Sequence, residues 1–256
     1  MRMFFSESKR AMRSKWFYIT MCAGLFQLIR GFFELVGYPN SYSYTNLEVI
    51  SISLGFGLYI YLCPVFCAIP YAHSFSDDFN FRTIIYKMTR ASRRSYALSK
   101  WLANGLAGGI SIAFPFLIYC LLIGTVTSPF DMKNPHHLQL FSETIYEGFN
   151  MANNGWLFIM MISALMFLFG FIWANVGMCI SSYIPSRAVA VMAPFLICYC
   201  FMYMSQHLGI LWLNPMDLLY PSGYANAFEN IRFILWNTII LIFSWMLWNR
   251  RIKEVI

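Results

Sequence analysis

HSFSDDFNFRTIIYKMTRASRRSYALSK, residues 73–100, decides how the rest of the chain is read. It carries Arg82, Lys87, Arg90, Arg93, Arg94 and Lys100 against only Asp77 and Asp78. Apolar runs flank it at 49–72 and 101–126, each long enough to cross a bilayer. A basic loop between two membrane spans belongs on the cytoplasmic side. This loop is also far longer than a simple connection requires. Ser76-Asp77-Asp78 supplies an N-cap and an acidic first turn, and Phe79, Ile84, Ile85 and Met88 supply apolar positions. The pattern predicts a short amphipathic helix at about 77–88, followed by a basic turn, Thr89 to Arg94, leading into the next span. Two readings of that helix stand open: an anchor on lipid headgroups, and a docking element for a soluble partner.

The bulk composition agrees with a membrane chain. Of 256 residues, 59% are hydrophobic and 11% charged, with a mean hydropathy of +0.57. A soluble domain could not hide that much apolar surface. The net charge of +7 is not a nucleic-acid footprint, because of where it falls. Of eighteen Lys and Arg, fifteen lie at residues 2–15, at 82–100, at Arg187 and at 250–253, which topology puts on one side. The seven cysteines all sit within apolar runs, which supports neither a disulfide framework nor a zinc knuckle.

Working outward, residues 1–15 read either as a basic amphipathic helix in the interface plane or as a frayed, solvated tail, with Met3, Phe4, Phe5 and Met12 beside Arg2, Lys9, Arg10, Arg13 and Lys15. Spans are expected at about 16–37, 49–72, 101–126, 155–180, 188–207 and 231–248, all in a single transmembrane domain covering 1–256. The fold class is thus an all-α integral membrane protein with six transmembrane helices and both termini in the cytoplasm. Arg30 and Glu34 in the first span are spaced i,i+4 and share a helix face. They read as a structural pair near the outer face or as a substrate contact. Pro64 and Pro70 kink the second span. Gly105 and Gly109, with Ala103, Ala107 and Gly108, mark a close helix–helix contact whose partner the sequence does not name. The polar loop 127–154 faces outside, and its adjacent His136 and His137 lack a third metal ligand. Ser186 is a plausible N-cap for span five. The apolar but Pro- and Gly-broken stretch 208–230 predicts a re-entrant pair of half-helices in the outer leaflet.

No nucleotide-binding loop, HExxH, GxSxG or CxxC motif occurs. Glu34 is the one intramembrane carboxylate candidate, whereas ion-driven carriers usually line their path with buried acidic groups. Six spans without an energy source, together with an elaborate cytoplasmic loop, point to the membrane half of a machine powered elsewhere. On these features the chain resembles the membrane subunits (permeases) of ABC transporters of the type-2 exporter class, the type V fold. The resemblance rests on the basic amphipathic N-terminal helix, the six-span order, the loop Ser74 to Asp78 through Thr89 to Tyr96 and Ser99-Lys100, and the outer segment at Leu213-Asn214-Pro215. It departs at Asp78, where many relatives carry glutamate.

The resemblance implies a non-enzymatic transport subunit working as a dimer of permeases, identical or sibling, over two ATPase subunits that hold ATP and Mg. It implies no cofactor or metal in this chain and no nucleic acid. The 77–88 helix becomes a coupling helix docked in the ATPase. Its coupling residues would be Asp77, Asp78, Phe79, Phe81, Arg82, Ile84, Ile85, Lys87, Met88, Arg90 and Arg93, with Tyr183 and Arg187 from the short loop nearby. Arg30, Glu34, Asn214 and Pro215 would line the substrate path. A compact subunit of this size is most similar to those of bacterial peptide or bacteriocin export and immunity, with a hydrophobic or amphipathic substrate. A passive channel or secondary carrier, and a membrane-embedded enzyme, are the alternatives. The last would need His or acidic residues clustered at one depth, which the sequence does not offer.

Overall fold

Each long apolar run closes its own backbone hydrogen bonds as a helix, the solution a low-dielectric solvent demands of a single span. The computed structural model describes residues 2–36, 49–50, 53–55, 57–89, 92–126, 155–210, 213–219 and 227–255. All regular structure among them is helical: α1 (Arg2–Met12), α2 (Lys15–Val36), α3 (Tyr59–Ala68), α4 (Ser74–Asn80), α5 (Thr83–Met88), α6 (Arg93–Val126), α7 (Gly155–Tyr183), α8 (Arg187–Leu208), a 3-10 turn (Pro215–Leu218) and α9 (Ala227–Val255).

Among the described residues, four helices are long and apolar enough to cross a membrane: Lys15–Val36, Arg93–Thr125, Ile159–Tyr183 and Arg187–Leu208. The chain is therefore an all-α protein of membrane type. The other two expected spans are described only in part. Within 49–72 lies the short apolar helix α3, which contains Pro64, and residues 51, 52 and 56 fall outside the described set. In α9 the side chains of 227–234 are likewise outside it.

The central pair is α6 and α7. Gly108 on α6 meets Ala174 and the backbone of Gly170 on α7 so closely that an added Cβ would stand 2.5 Å from the Ala174 Cβ and 2.8 Å from the Gly170 carbonyl. The small-residue stripe thus packs against α7, and a buried Asn104–Asn175 bond of 3.1 Å lies one turn from it. Against this pair rest α2, whose buried side carries Phe17, Thr20, Gly24, Leu28 and Leu35, and α8, whose buried side carries Ala190, Pro194, Cys198 and Ser205, while Gly31 of α2 meets the backbone at Ser53 and Gly57.

Several local expectations change. The single helix at 77–88 is two short helices, α4 and α5, separated at Arg82, which adopts a left-handed conformation (φ 54°). Ser76 is not a cap but lies inside α4, where its hydroxyl donates to the Ser181 carbonyl. Ser186 does hold the N-cap position of α8 in extended backbone, with no side-chain bond. Helix α6 begins at Arg93, so the second half of the basic loop continues the third span as helix. In the 208–230 stretch the described residues are the end of α8 with Gly209 and Ile210, a segment at 213–219 that holds one 3-10 turn, and the first turn of α9 from Ala227. At the 3-10 turn the Asn214 side chain accepts from the Met216 amide at 3.2 Å, and Met216 and Leu219 bury in the main core. Residues 211–212 and 220–226 of the expected hairpin lie outside the described set, as does the loop 127–154 with its two histidines.

Candidate functional site

One end of the bundle gathers α1, the segment 71–100, the α7–α8 turn and the C-terminal part of α9. Most of the chain's basic residues collect there. At its centre is a cluster of charges drawn from α1, α4, α5 and α6. Asp78 on α4 is 1% exposed, Glu7 on α1 is 4% exposed, and Lys100 on α6 is fully buried. Lys100 Nζ lies 2.6 Å from Asp78 Oδ2 and 3.9 Å from Glu7 Oε2, and it donates to the Ser74 carbonyl at 2.8 Å. Lys87 on α5 bridges both carboxylates, 2.7 Å from Glu7 Oε1 and 2.7 Å from Asp78 Oδ2. Arg10 reaches Asp78 Oδ1 at 3.1 Å from the half-exposed rim. Tyr96 donates to Asp78 Oδ2 at 3.1 Å, Thr83 donates to Oδ1 at 3.2 Å, and Tyr71 donates to Glu7.

The break between α4 and α5 follows from this geometry. On one straight helix Lys87 would lie about 13.5 Å along the axis from Asp78. Turning the chain at Arg82 brings the two side chains into contact. It places them over Lys100, so no charge in the cluster is buried without a partner.

Burial raises the Glu7 carboxyl, but Lys100, Lys87 and the Tyr71 hydroxyl outweigh it and hold the group below its ordinary value. Burial likewise opposes ionisation of Asp78, and Lys100 and Lys87 overcome it and leave the carboxyl far below the usual range. Both carboxylates are therefore charged at any physiological pH. The arrangement is a buried ionic weld in which two carboxylates are held by two lysines, with Arg10 at the rim.

A second set of bonds joins this weld to the α7–α8 turn and to α9. Arg187 donates to Asp77 at 2.7 Å, and Asn80 donates to the Pro185 carbonyl. The Ser181 hydroxyl donates to the Ala72 carbonyl. Trp248 Nε1 donates to the Ala97 carbonyl at 3.2 Å, with its ring edge-on to Phe75 at 4.9 Å. Arg251 donates to the Ser182 carbonyl and lies over the Tyr183 ring, whose hydroxyl donates to the Leu247 carbonyl.

The residues singled out from the sequence therefore divide. Asp78 and Lys87 point into the weld, Ile84 is buried, Asp77 and Arg187 form the link between the two loops, and Tyr183 packs on α9 through Leu247 and Arg251. Phe79, Phe81, Ile85 and Tyr86 remain exposed, Phe81 and Tyr86 by 69% and 73%. Arg82 and Arg93 are exposed as well. Arg90 and the side chain of Met88 lie outside the described residues. Far from this end, Arg30 and Glu34 pair at 2.8 Å on a partly exposed side of α2. Glu7 and Tyr71 belong to the cluster but were passed over by sequence reasoning, and Tyr96 and Lys100 were named only within the basic loop and its family resemblance. The described residues contain no group of three or more His, Cys, Asp or Glu that could hold a metal ion. No family model, curated protein or solved structure matches this chain.

Proposed function

We propose that this chain is the membrane-spanning subunit of an ATP-driven exporter, with its basic end docked on a separate ABC ATPase. The observation that carries the reading is the knuckle at α4–α5. Phe79, Phe81, Ile85 and Tyr86 stand exposed around the left-handed Arg82, while Asp78 and Lys87 fix the same knuckle from behind to α1 and α6. Exposed aromatic and aliphatic anchors on a rigid base suit a protein groove, where buried anchors dominate docking. In the proposed topology six spans place both termini and the knuckle in the cytoplasm, as the Lys and Arg bias requires. The subunit works in the cell membrane as a permease dimer, identical or sibling. It passes a hydrophobic or amphipathic substrate, such as an antimicrobial peptide, along a path that includes Arg30, Glu34, Asn214 and Pro215.

The test is co-purification of the chain with an ATPase encoded beside it, together with substrate-stimulated ATP hydrolysis. Phe81→Ala, Ile85→Ala and Tyr86→Ala are expected to lose the complex, and Arg82→Lys to keep it. Unchanged complex and activity in all three alanine variants, with normal membrane insertion, would leave the knuckle as a lipid anchor and end the docking reading.

A further inference from the structure

Between α1 and the chain leading into α4 lies a cleft of about 510 Å³, open on one side. Its charged lining is Lys9, Arg10 and Arg13 on one wall and Asp77 on the other, with Tyr71 and His73 between them. Lys9 and Arg13 have no ion-pair partner among the described residues, and Arg10 is engaged through Nη1, by Asp78 at 3.1 Å and Glu7 at 3.9 Å. The single carboxylate is already neutralised, since Asp77 pairs with Arg187 at 2.7 Å and stands 3.7 Å from His73. The cleft therefore presents unspent positive charge inside a concave wall, unlike the scattered cations of a solvated face.

Its position fixes the kind of anion. Arg13 is separated from the first membrane-crossing helix by Ser14 alone, and that helix opens with Lys15 and Trp16, whose side chains stack at 5.7 Å. An aromatic and a cation at the start of a span mark headgroup depth. Tyr71, on the opposite wall, follows the apolar helix α3 by three residues. A basic pocket at this level between helices meets lipid phosphates before any soluble anion.

We propose that this cleft binds the phosphate of an anionic phospholipid headgroup, with Lys9 and Arg13 as its principal ligands and Arg10 shared between the lipid and Asp78. The bound chemistry is a phosphate ester, which a soluble phosphate compound could also supply. The site stands independently of the exporter reading. It requires only that α2 cross a membrane.

The full chain, purified in detergent and stripped of lipid, is titrated with phosphatidylglycerol or phosphatidylcholine, and retained lipid is counted by native mass spectrometry. Wild type is expected to keep one phosphatidylglycerol in preference to phosphatidylcholine. Lys9→Gln/Arg13→Gln is expected to weaken it about thirtyfold, the effect of removing two cations worth roughly 1 kcal/mol each. Both side chains are exposed and unpaired, so this variant keeps its fold, which an unchanged melting temperature verifies. Arg93→Gln removes an exposed cation outside the cleft and is expected to bind as wild type. Equal retention by the cleft variant and wild type, or no preference over phosphatidylcholine, overturns the site. Displacement of the lipid by millimolar glycerophosphoglycerol or inorganic phosphate overturns the lipid assignment in favour of a free phosphate ester.

Discussion

Replacing Asp78 with asparagine keeps the shape of the side chain and deletes one charge from the centre of the weld. Lys100, fully buried, would then retain the Ser74 carbonyl at 2.8 Å and a carboxylate no nearer than Glu7 at 3.9 Å. Lys87 could relax toward solvent, but Lys100 could not. Stranding one partner of a buried pair costs about 3–5 kcal/mol. At roughly 2–4 °C per kcal/mol for a chain of this size, the melting temperature in detergent should fall by about 6–20 °C. Asp77→Asn supplies the contrast, because its partner Arg187 is well exposed. Exposed pairs contribute about 0–1 kcal/mol, so the shift should be a few degrees at most. The double replacement Asp78→Leu/Lys100→Met removes both charges and should recover much of the loss, since neither is left unpaired. The readout is thermal unfolding of the purified variants by intrinsic tryptophan fluorescence. Equal, small shifts for Asp78→Asn and Asp77→Asn would show that the cluster is not the buried weld described here. A double variant no better than Asp78→Asn would show that the cost does not come from a stranded Lys100.

Acid should act on the same cluster. Glu7 and Asp78 titrate below their ordinary values, so their contribution is complete above the unfolded-state values of about 4 and drains as the pH falls toward the folded ones. The melting gap between wild type and Asp78→Asn should therefore narrow as the pH falls below about pH 4. A gap unchanged between about pH 5.5 and about pH 3 would contradict that order. Gly108→Ala drives a methyl to within 2.5 Å of the Ala174 Cβ, with backbone oxygens of Cys67 and Gly170 at 2.8 Å. Overpacking of this kind costs about 1–3 kcal/mol, and the melting temperature should fall accordingly. Replacing Ala174 with glycine in the same chain should restore part of it. Trp248→Phe keeps the ring packing on Phe75 but removes the indole bond to the Ala97 carbonyl, which still accepts within α6, and a loss of about 0.5–1.5 kcal/mol is expected in the same assay.

The membrane-crossing helices were legible because an apolar window of about twenty residues outweighs any local ambiguity. Helices α2, α7 and α8 begin within a residue of where the apolar runs place them, whereas α6 starts earlier, at Arg93, and α9 earlier, at Ala227. The partner of the glycine stripe was not legible, since small residues announce a close approach without naming the neighbour. The break at Arg82 was hidden for a different reason. It answers to Glu7 and Lys100, 75 residues before and 18 after it, and local propensity carries no trace of such a demand. Glu7 did leave a signal. Spaced four residues from both Met3 and Ala11, it stands on the buried face of a helix whose other charges are basic. An acid on the inward stripe of a basic amphipathic helix asks for a buried cation.

The weld also decides how force would travel if the knuckle meets an ATPase. A loop held only by its two chain ends would absorb a push at Phe81 or Tyr86 by bending. Here the knuckle is fixed to α6 through Lys100, to α1 through Glu7 and Lys87, and to the α7–α8 turn through Asp77 and Arg187. Pulling the knuckle away from α6 or α1 separates Asp78 from Lys100 or Lys87 from Glu7, which are buried charges on at least one side, so moving the hub as a body is the cheaper response. The body it moves is continuous with α6, which meets α7 at van der Waals contact along the glycine stripe. Interfaces packed that tightly shift between discrete arrangements more readily than they stretch. On the proposed function, then, variants of the weld that still fold should uncouple ATP hydrolysis from transport, while variants of Phe81 or Tyr86 should lose the ATPase altogether. That separation of two phenotypes on the two sides of one knuckle is what a rigid lever requires and a lipid anchor does not produce.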